Sequence, residues 1–554
     1  MSPGSATGRT STRERGLLVC ADRIHVSFAP QPPPGHGAPP DAFVVQHGRV
    51  VEVGRAATLR SRYPGAEVLE FQGGTITPGL IDAHIHLVEW AETLERIDLT
   101  SLTTPEEAAE AVARRAGSAG VQGDWITGHG WSRSRWSRSP DRAILDRWVP
   151  DRPVALYSQD LHALWVNTRA LEAAGITDDT PDPQGGVIVR DATGRATGML
   201  LEAAAALVIE RMPATPDGDI ARAVRRAQSV LHGFGITAVH GLPGVHRREP
   251  ADLRVLQSLV EAGELRLRVL QHLPVWQLET AIALGLRSGL GGDWLRIGGV
   301  KLFLDGALGS QTAWLREPYE GTADYGISNY TADAFRAIAH RAARAGLAMT
   351  VHAIGDAAVA QALDTLADPA LPAVALPHRI EHVQLCPPNY FGVGARAGII
   401  HSVQPAHLIT DWRAADELWG RERCERAYAF ASLLDAGATL AFGSDGPVAD
   451  PDPRLGLFAA TARQDLSGAP AHGWYPEQRI STRAALWAYT GGPAIAAGLR
   501  GQQGELVPGA FADFVVWERD PLLASGADFL ALECRATAVG GQVVWSSSDR
   551  NRQP

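Results

Sequence analysis

Five strand-like runs of this sequence end in residues that bind metals or move protons. PGLIDAHIHL carries His84 and His86, VKLFLDG carries Lys301, TVHAIGD carries His352, RIEHVQ carries His382 and FGSDGP carries Asp445. Side chains alternate along a strand, so His84 and His86 share one face. Imidazole and carboxylate are good ligands for zinc and similar divalent ions. Two ions ~3.5–4 Å apart need a shared anionic bridge and can together activate one water. A lysine ammonium cannot bridge cations. A neutral lysine amine can take up CO2 and become a carbamate, which is a bridging carboxylate, and burial beside metal charge favours the neutral amine. Guanidinium stays protonated and cannot do this. Among 51 Lys and Arg residues the chain has a single lysine, Lys301.

Each residue also has a plainer reading. Coding bias toward arginine explains the lysine count. His84 and His86 alone fit two packed histidines, and His352 or His382 alone fits a structural one. Asp445 in SDGP fits a turn or helix cap. Lys301 alone fits an ion pair. The joint set at five strand ends is far harder to reach by accident.

The elements that must position this set follow from the apolar pattern. Eight runs stand in order: TITPGLIDAHIHL, GITAVHG, LRLRVLQHL, IGGVKLFLDG, LAMTVHAIGD, RIEHVQL, GIIHSVQP and LAFGSDGP. Ala/Arg-rich segments of helical period lie between most of them. Buried strands alternating with helices predict a parallel sheet, and eight units predict an α/β fold of the (β/α)8 TIM-barrel type. The named residues then ring one mouth at the strands' C-terminal ends. About 150 residues separate the first two runs, too many for a loop, and they carry their own strand and helix signals. This predicts an insertion after strand 1, over about 100–225, within a barrel spanning 76–484. Alternating β-like runs at both chain ends predict a small composite β-sandwich domain from 16–75 and 485–547.

A net charge of −10 over 554 residues argues against nucleic acid and anionic membranes as partners. Four scattered cysteines form neither a disulfide framework nor a zinc ribbon. With no signal-like or membrane-spanning run, the cytoplasm is the expected compartment.

The stretches PGLIDAHIHL, LHALWVNTRALEAAGI, GGVIVRDATGRATGMLLE, VKLFLDGALGSQTAWLREPY, VHAIGDAAV, RIEHVQ, SVQPAHLITD, FGSDGPVADPDPRLG and GELVPGAFADFVVW resemble the metal-dependent amidohydrolase superfamily. The nearest branch is amidohydrolase-3, with its N-substituted formamide deformylase-like proteins. The resemblance runs from near residue 45 to near residue 545. It implies a hydrolase acting on a C–N bond of a small molecule: an amide, formamide or cyclic amide. By the resemblance His84 and His86 bind the more buried metal and His352 and His382 the more exposed one. Lys301 bridges them as a carbamate. Asp445 binds the first metal and acts as general base. Two ions are expected, zinc first among the candidates; one metal with an unmodified Lys301 stays open. Gly446 departs from the aromatic often found there, which bears on pocket shape.

His407, His162, Trp131 and Asp305 are the candidates for substrate contact, with Trp136, Trp165 and His240 behind them. Alternation from His382 points Arg379 and Glu381 outward, into an ion pair. A homodimer is compatible with the sequence. A lactone or ester hydrolase on the same site, or a regulatory binding protein that kept the fold, are the other readings.

Overall fold

The eight apolar runs form eight parallel strands: β1 (Leu80–Ile85), β2 (Ile236–Gly241), β3 (Arg268–Pro274), β4 (Leu295–Phe303), β5 (Met349–Ala353), β6 (Arg379–His382), β7 (Ile400–Val403) and β8 (Thr439–Phe442). They pair in that order. This computed structural model describes residues 16–30, 39–117, 125–131, 136, 138–159, 163–183, 185–244 and 251–548. Every residue of β1, β2, β3, β5, β6 and β7 is buried, because helices cover the outside and side chains fill the inside. The end of β8 returns to β1. Asp445 N–H donates to the His84 carbonyl at 2.7 Å and His86 N–H to that of Gly446 at 2.9 Å. The ring therefore closes at the end that carries the chemistry.

The helix Ala332–Arg344 shows why the intervening segments fold as they do. Thr331 caps its start by accepting from Ala334 N–H, and Arg341 and Arg344 sit in its last turn, where cations suit the helix dipole. Phe335, Ala339, Ala342 and Ala343 form its buried stripe, at the spacing of one helix face.

Between β1 and β2 lies a second sheet of six strands, in the order Gly186–Arg190, Ala196–Glu202, Ala163–Val166, Val154–Ser158, Ile126–Trp131 and Ile97–Asp98. It has its own apolar core, which includes Trp131, Trp136 and Trp165. The third sheet draws seven strands from both chain ends. Its seam pairs Glu67–Pro78 with Phe514–Trp517, antiparallel, with Val515 opposite Thr77. Glu67–Pro78 runs through Gly79 straight into β1. A Cβ on Gly79 would lie 2.3 Å from Thr237 Oγ1 on β2, so this crossing needs glycine. Among the described residues no helix is long and apolar enough to cross a membrane.

Candidate active site

His84 lies one residue before the end of β1, facing the barrel interior, and His86 caps the start of the helix Leu87–Thr93. Both are buried. Each ring has one nitrogen tied from behind. His84 Nδ1 lies 2.5 Å from Glu381 Oε2, and His86 Nδ1 lies 2.8 Å from the Pro243 carbonyl. Their Nε2 atoms converge on Asp445 Oδ1 at 3.1 and 3.4 Å. Asp445 follows β8 with φ of 64°, a left-handed turn that aims its carboxylate across the mouth. Burial alone would raise its pKa. The His84 and His86 imidazoles facing it outweigh burial and hold the carboxyl well below the usual range.

On the opposite side stand His352, His382 and His407. His382 has φ of 72° and Val383 47°. Its ring centroid lies 5.0 Å from that of His84, 4.4 Å from His352 and 6.1 Å from His407. His407 Nε2 faces Asp445 Oδ2 at 3.6 Å. Two sets of donor atoms lie within 4.8 Å of one another: His84, His86 and Asp445, and then His382, His407 and Asp445. Asp445 is common to both. His352 stands beside the second set with Nε2 turned to the Gly306 carbonyl at 3.0 Å, which leaves Nδ1 as its free nitrogen.

Lys301 is 1% exposed, and its ammonium has no hydrogen-bond partner among the described residues. Its Nζ lies 4.5 Å from the Phe303 ring centroid. Burial pushes its pKa down to about 8, so a neutral amine is within reach. His84 Nε2, His382 Nδ1 and His407 Nε2 are likewise buried without hydrogen-bonding geometry to any described group. Buried polar atoms are rarely left so. Four of them around one carboxylate fit a site built for cations and their bound groups.

Several expectations need correction. Arg379 and Glu381 point into the barrel, not outward: Glu381 Oε2 meets His84 Nδ1 and Arg379 Nη1 meets His240 Nδ1. They do form an ion pair, with Arg379 Nε 2.5 Å from Glu381 Oε1. Alternation counted back from His382 fails because the positive φ there turns the histidine to the face its neighbours already occupy. The Asp305 carboxylate is committed to the backbone. It accepts from the backbone N–H groups of Trp314, Ile354 and Gly355 at 3.0, 3.0 and 2.8 Å, and burial raises its pKa to about 7. It braces the exit of β5 behind His352. Trp131 is fully buried in the inserted subdomain, stacked 5.3 Å from Trp136, with its indole N–H on the Leu156 carbonyl at 2.8 Å. Among the described residues its ring and N–H are taken up by that core. His162 lies outside the described residues.

Two residues escaped the sequence reading. Asp82 Oδ1 accepts from the backbone N–H of His84 and of Ser444, each at 3.0 Å, and Oδ2 accepts from Ser444 Oγ at 2.6 Å. This pair staples β1 to the end of β8, one residue from Asp445. The signal was present: Asp82, His84 and His86 share the strand's period of two.

A closed barrel with a cluster of imidazoles and a carboxylate at its C-terminal mouth has the architecture of the barrel enzymes. The chain belongs to the amidohydrolase family, whose sequence pattern matches residues 67–545; an imidazolonepropionase-like composite domain of bacteria matches 42–66. It is 29% identical to the N-substituted formamide deformylase of Arthrobacter pascens, over 90% of this chain and 94% of that one. It is 32% identical to the protein LONG AFTER FAR-RED 3 of Arabidopsis thaliana, over 91% and 88%. A crystal structure of a metal-dependent hydrolase from Pyrococcus horikoshii OT3 superposes with a TM-score of 0.77 at 27% identity, covering 92% of this chain and 99% of that one.

Proposed function

We propose that this protein hydrolyses a C–N bond of a small amide, formamide or cyclic amide at a pair of divalent ions, zinc first among the candidates. His84, His86 and Asp445 would hold one ion, and His352 and His382 the other, with Lys301 bridging as a carbamate. The observation that carries the reading is the convergence of buried ring nitrogens of His84, His86, His382 and His407 on the Asp445 carboxylate. Similarity to a protein named N-substituted formamide deformylase supports the bond class. Free cysteines throughout suit a reducing cytoplasm.

The ions would acidify a water toward neutrality and polarise the scissile carbonyl. Asp445 takes a proton from the attacking water and returns it to the leaving nitrogen, so that water's oxygen ends on the carbonyl carbon. His407 faces this carboxylate with Nε2, while the Gln384 side-chain amide nitrogen lies 3.4 Å from its Nδ1. In this reading His407 would hold its proton on Nε2 and donate it to the substrate oxygen.

The test is metal content per chain, with intact mass measured under native conditions in bicarbonate, followed by turnover of amides, formamides, cyclic ureides and lactones. Two ions and a labile CO2 adduct are expected. Lys301→Ala should abolish the adduct and cut both metal content and turnover; unchanged metal and rate in that variant rule out the bridge. Turnover of lactones alone would overturn the C–N assignment. A metal-loaded protein inert on the whole panel would favour a regulatory role.

A further inference from the structure

We infer that Glu381, clamped by Arg379, is a positioning residue that sets the tautomer and direction of His84. This rests on the metal-centre reading above. Glu381 is fully buried on β6, one residue before His382. Arg379 grips its carboxylate with two hydrogen bonds, Nε to Oε1 at 2.5 Å and Nη2 to Oε2 at 2.9 Å. The same guanidinium donates to the Ala83 carbonyl at 2.6 Å, to Ser402 Oγ at 2.6 Å and to His240 Nδ1 at 2.8 Å. It therefore ties β6 to β1, β7 and β2 at the level just beneath the mouth.

A carboxylate paired in this way can only accept. Its Oε2 lies 2.5 Å from His84 Nδ1, so the imidazole proton belongs on Nδ1. Nε2 is then a bare lone pair. Nε2 lies 3.1 Å from Asp445 Oδ1, on the side where the cation would be held. With the other tautomer a proton would stand between His84 and any cation. His86 is ordered by the same logic, with a backbone carbonyl in place of the carboxylate. Carboxylates behind ligating histidines fix ring orientation and raise ligand basicity, and losing one typically costs about 10–100-fold in metal affinity. Strand β6 thus supplies His382 at its tip and orients His84 from one residue below.

Glu381→Gln keeps the shape and removes the logic. The amide has a single acceptor oxygen. If Arg379 takes it, the amide N–H2 faces His84 Nδ1, donor against donor, and favours the wrong tautomer. The experiment titrates the full-length metal-free chain with zinc against a chromophoric chelator, and records the visible spectrum of the cobalt-substituted protein. Glu381→Gln should bind zinc about 10–100-fold more weakly and shift the cobalt bands, with far-ultraviolet circular dichroism unchanged. Glu381→Asp, which keeps the charge, should recover part of the affinity. Wild-type affinity and an unshifted spectrum in Glu381→Gln overturn the proposal. If that variant does not fold, neutron diffraction from the metal-loaded wild type decides: a deuteron on His84 Nδ1 supports it, and one on Nε2 overturns it. A wild-type chain that binds no zinc defeats the metal-centre reading itself, and this inference with it.

Discussion

Asp82 accepts three hydrogen bonds inside the barrel, two of them from the backbone beside His84 and Asp445. Buried donors left without an acceptor cost about 1–3 kcal/mol each. Asp82→Ala should therefore destabilise the chain by at least that much and loosen metal binding, as read by urea unfolding and zinc titration. Asp82→Asn keeps one oxygen for the two backbone donors, and its amide can donate to Ser444 Oγ in place of the lost contact. Its effect should be much smaller. Equal losses in both variants would mean that the carboxylate charge, not the staple, matters. At this scale residue type was legible and direction was not. Histidine, lysine and aspartate at strand ends stand out by their chemistry. Nothing in RIEHV shows that His382 and Val383 take positive φ, and that local turn decides which side chains enter the barrel. Nor does any spacing reveal that Trp131 spends its ring and N–H inside a separate core.

The elements were far more legible, because a strand buried on both faces has to be apolar along its whole length. The polar exceptions inside such strands carry the information. His401, on β7 between Ile400 and Ser402, faces away from the site. Both its ring nitrogens are buried without a partner among the described residues. A Cβ on Gly394, in the helix Val393–Ala397, would lie 2.2 Å from its Cε1, so Gly394→Ala should destabilise through that contact. Burial lowers the His401 pKa to about 4, against an unfolded value near 6.5. Above 6.5 both states are neutral and its contribution is fully present. As pH falls toward 4 the unfolded chain takes up the proton first, and stability is lost. The expected loss from this one group is about 2 kcal/mol at pH 5. His401→Leu removes it and sacrifices no hydrogen bond. Urea unfolding at pH 7 and pH 5 should show the variant gaining on the wild type by about that amount. A gap that does not widen with acid would show that the histidine is not held neutral. His232, also pushed down to about 4 by burial, should keep the wild type and the variant both acid-sensitive.

The whole molecule depends on joining a sheet made from both chain ends to a barrel made from the middle. The join includes a buried ion pair. Arg268, the first residue of β3, holds Asp513 with Nε to Oδ2 at 2.6 Å and Nη2 to Oδ1 at 3.0 Å. Asp513 adjoins the strand Phe514–Trp517, and both side chains are nearly inaccessible. The guanidinium lies 3.6 Å from the Phe511 ring centroid and 4.8 Å from that of Trp294. Neither partner announced itself in the sequence, since 245 residues separate them and each is an ordinary charged residue on its own. Removing one partner of such a pair leaves an uncompensated buried charge, which costs about 3–5 kcal/mol. Arg268→Ala should therefore lower stability by that amount while leaving the metal content of the folded fraction unchanged, because the clamp sits at the start of β3 and the ligands sit at the other end of the barrel. Replacing the pair together, as Arg268→Met with Asp513→Leu, removes the stranded charge and should recover part of the loss. Recovery should be incomplete, because Asp513 Oδ1 also accepts from Gly540 N–H at 2.8 Å, a bond that leucine cannot make. Full recovery would show that the charge alone limits the join. If Arg268→Ala is as stable as wild type, the two sheets are held by their apolar contacts without it.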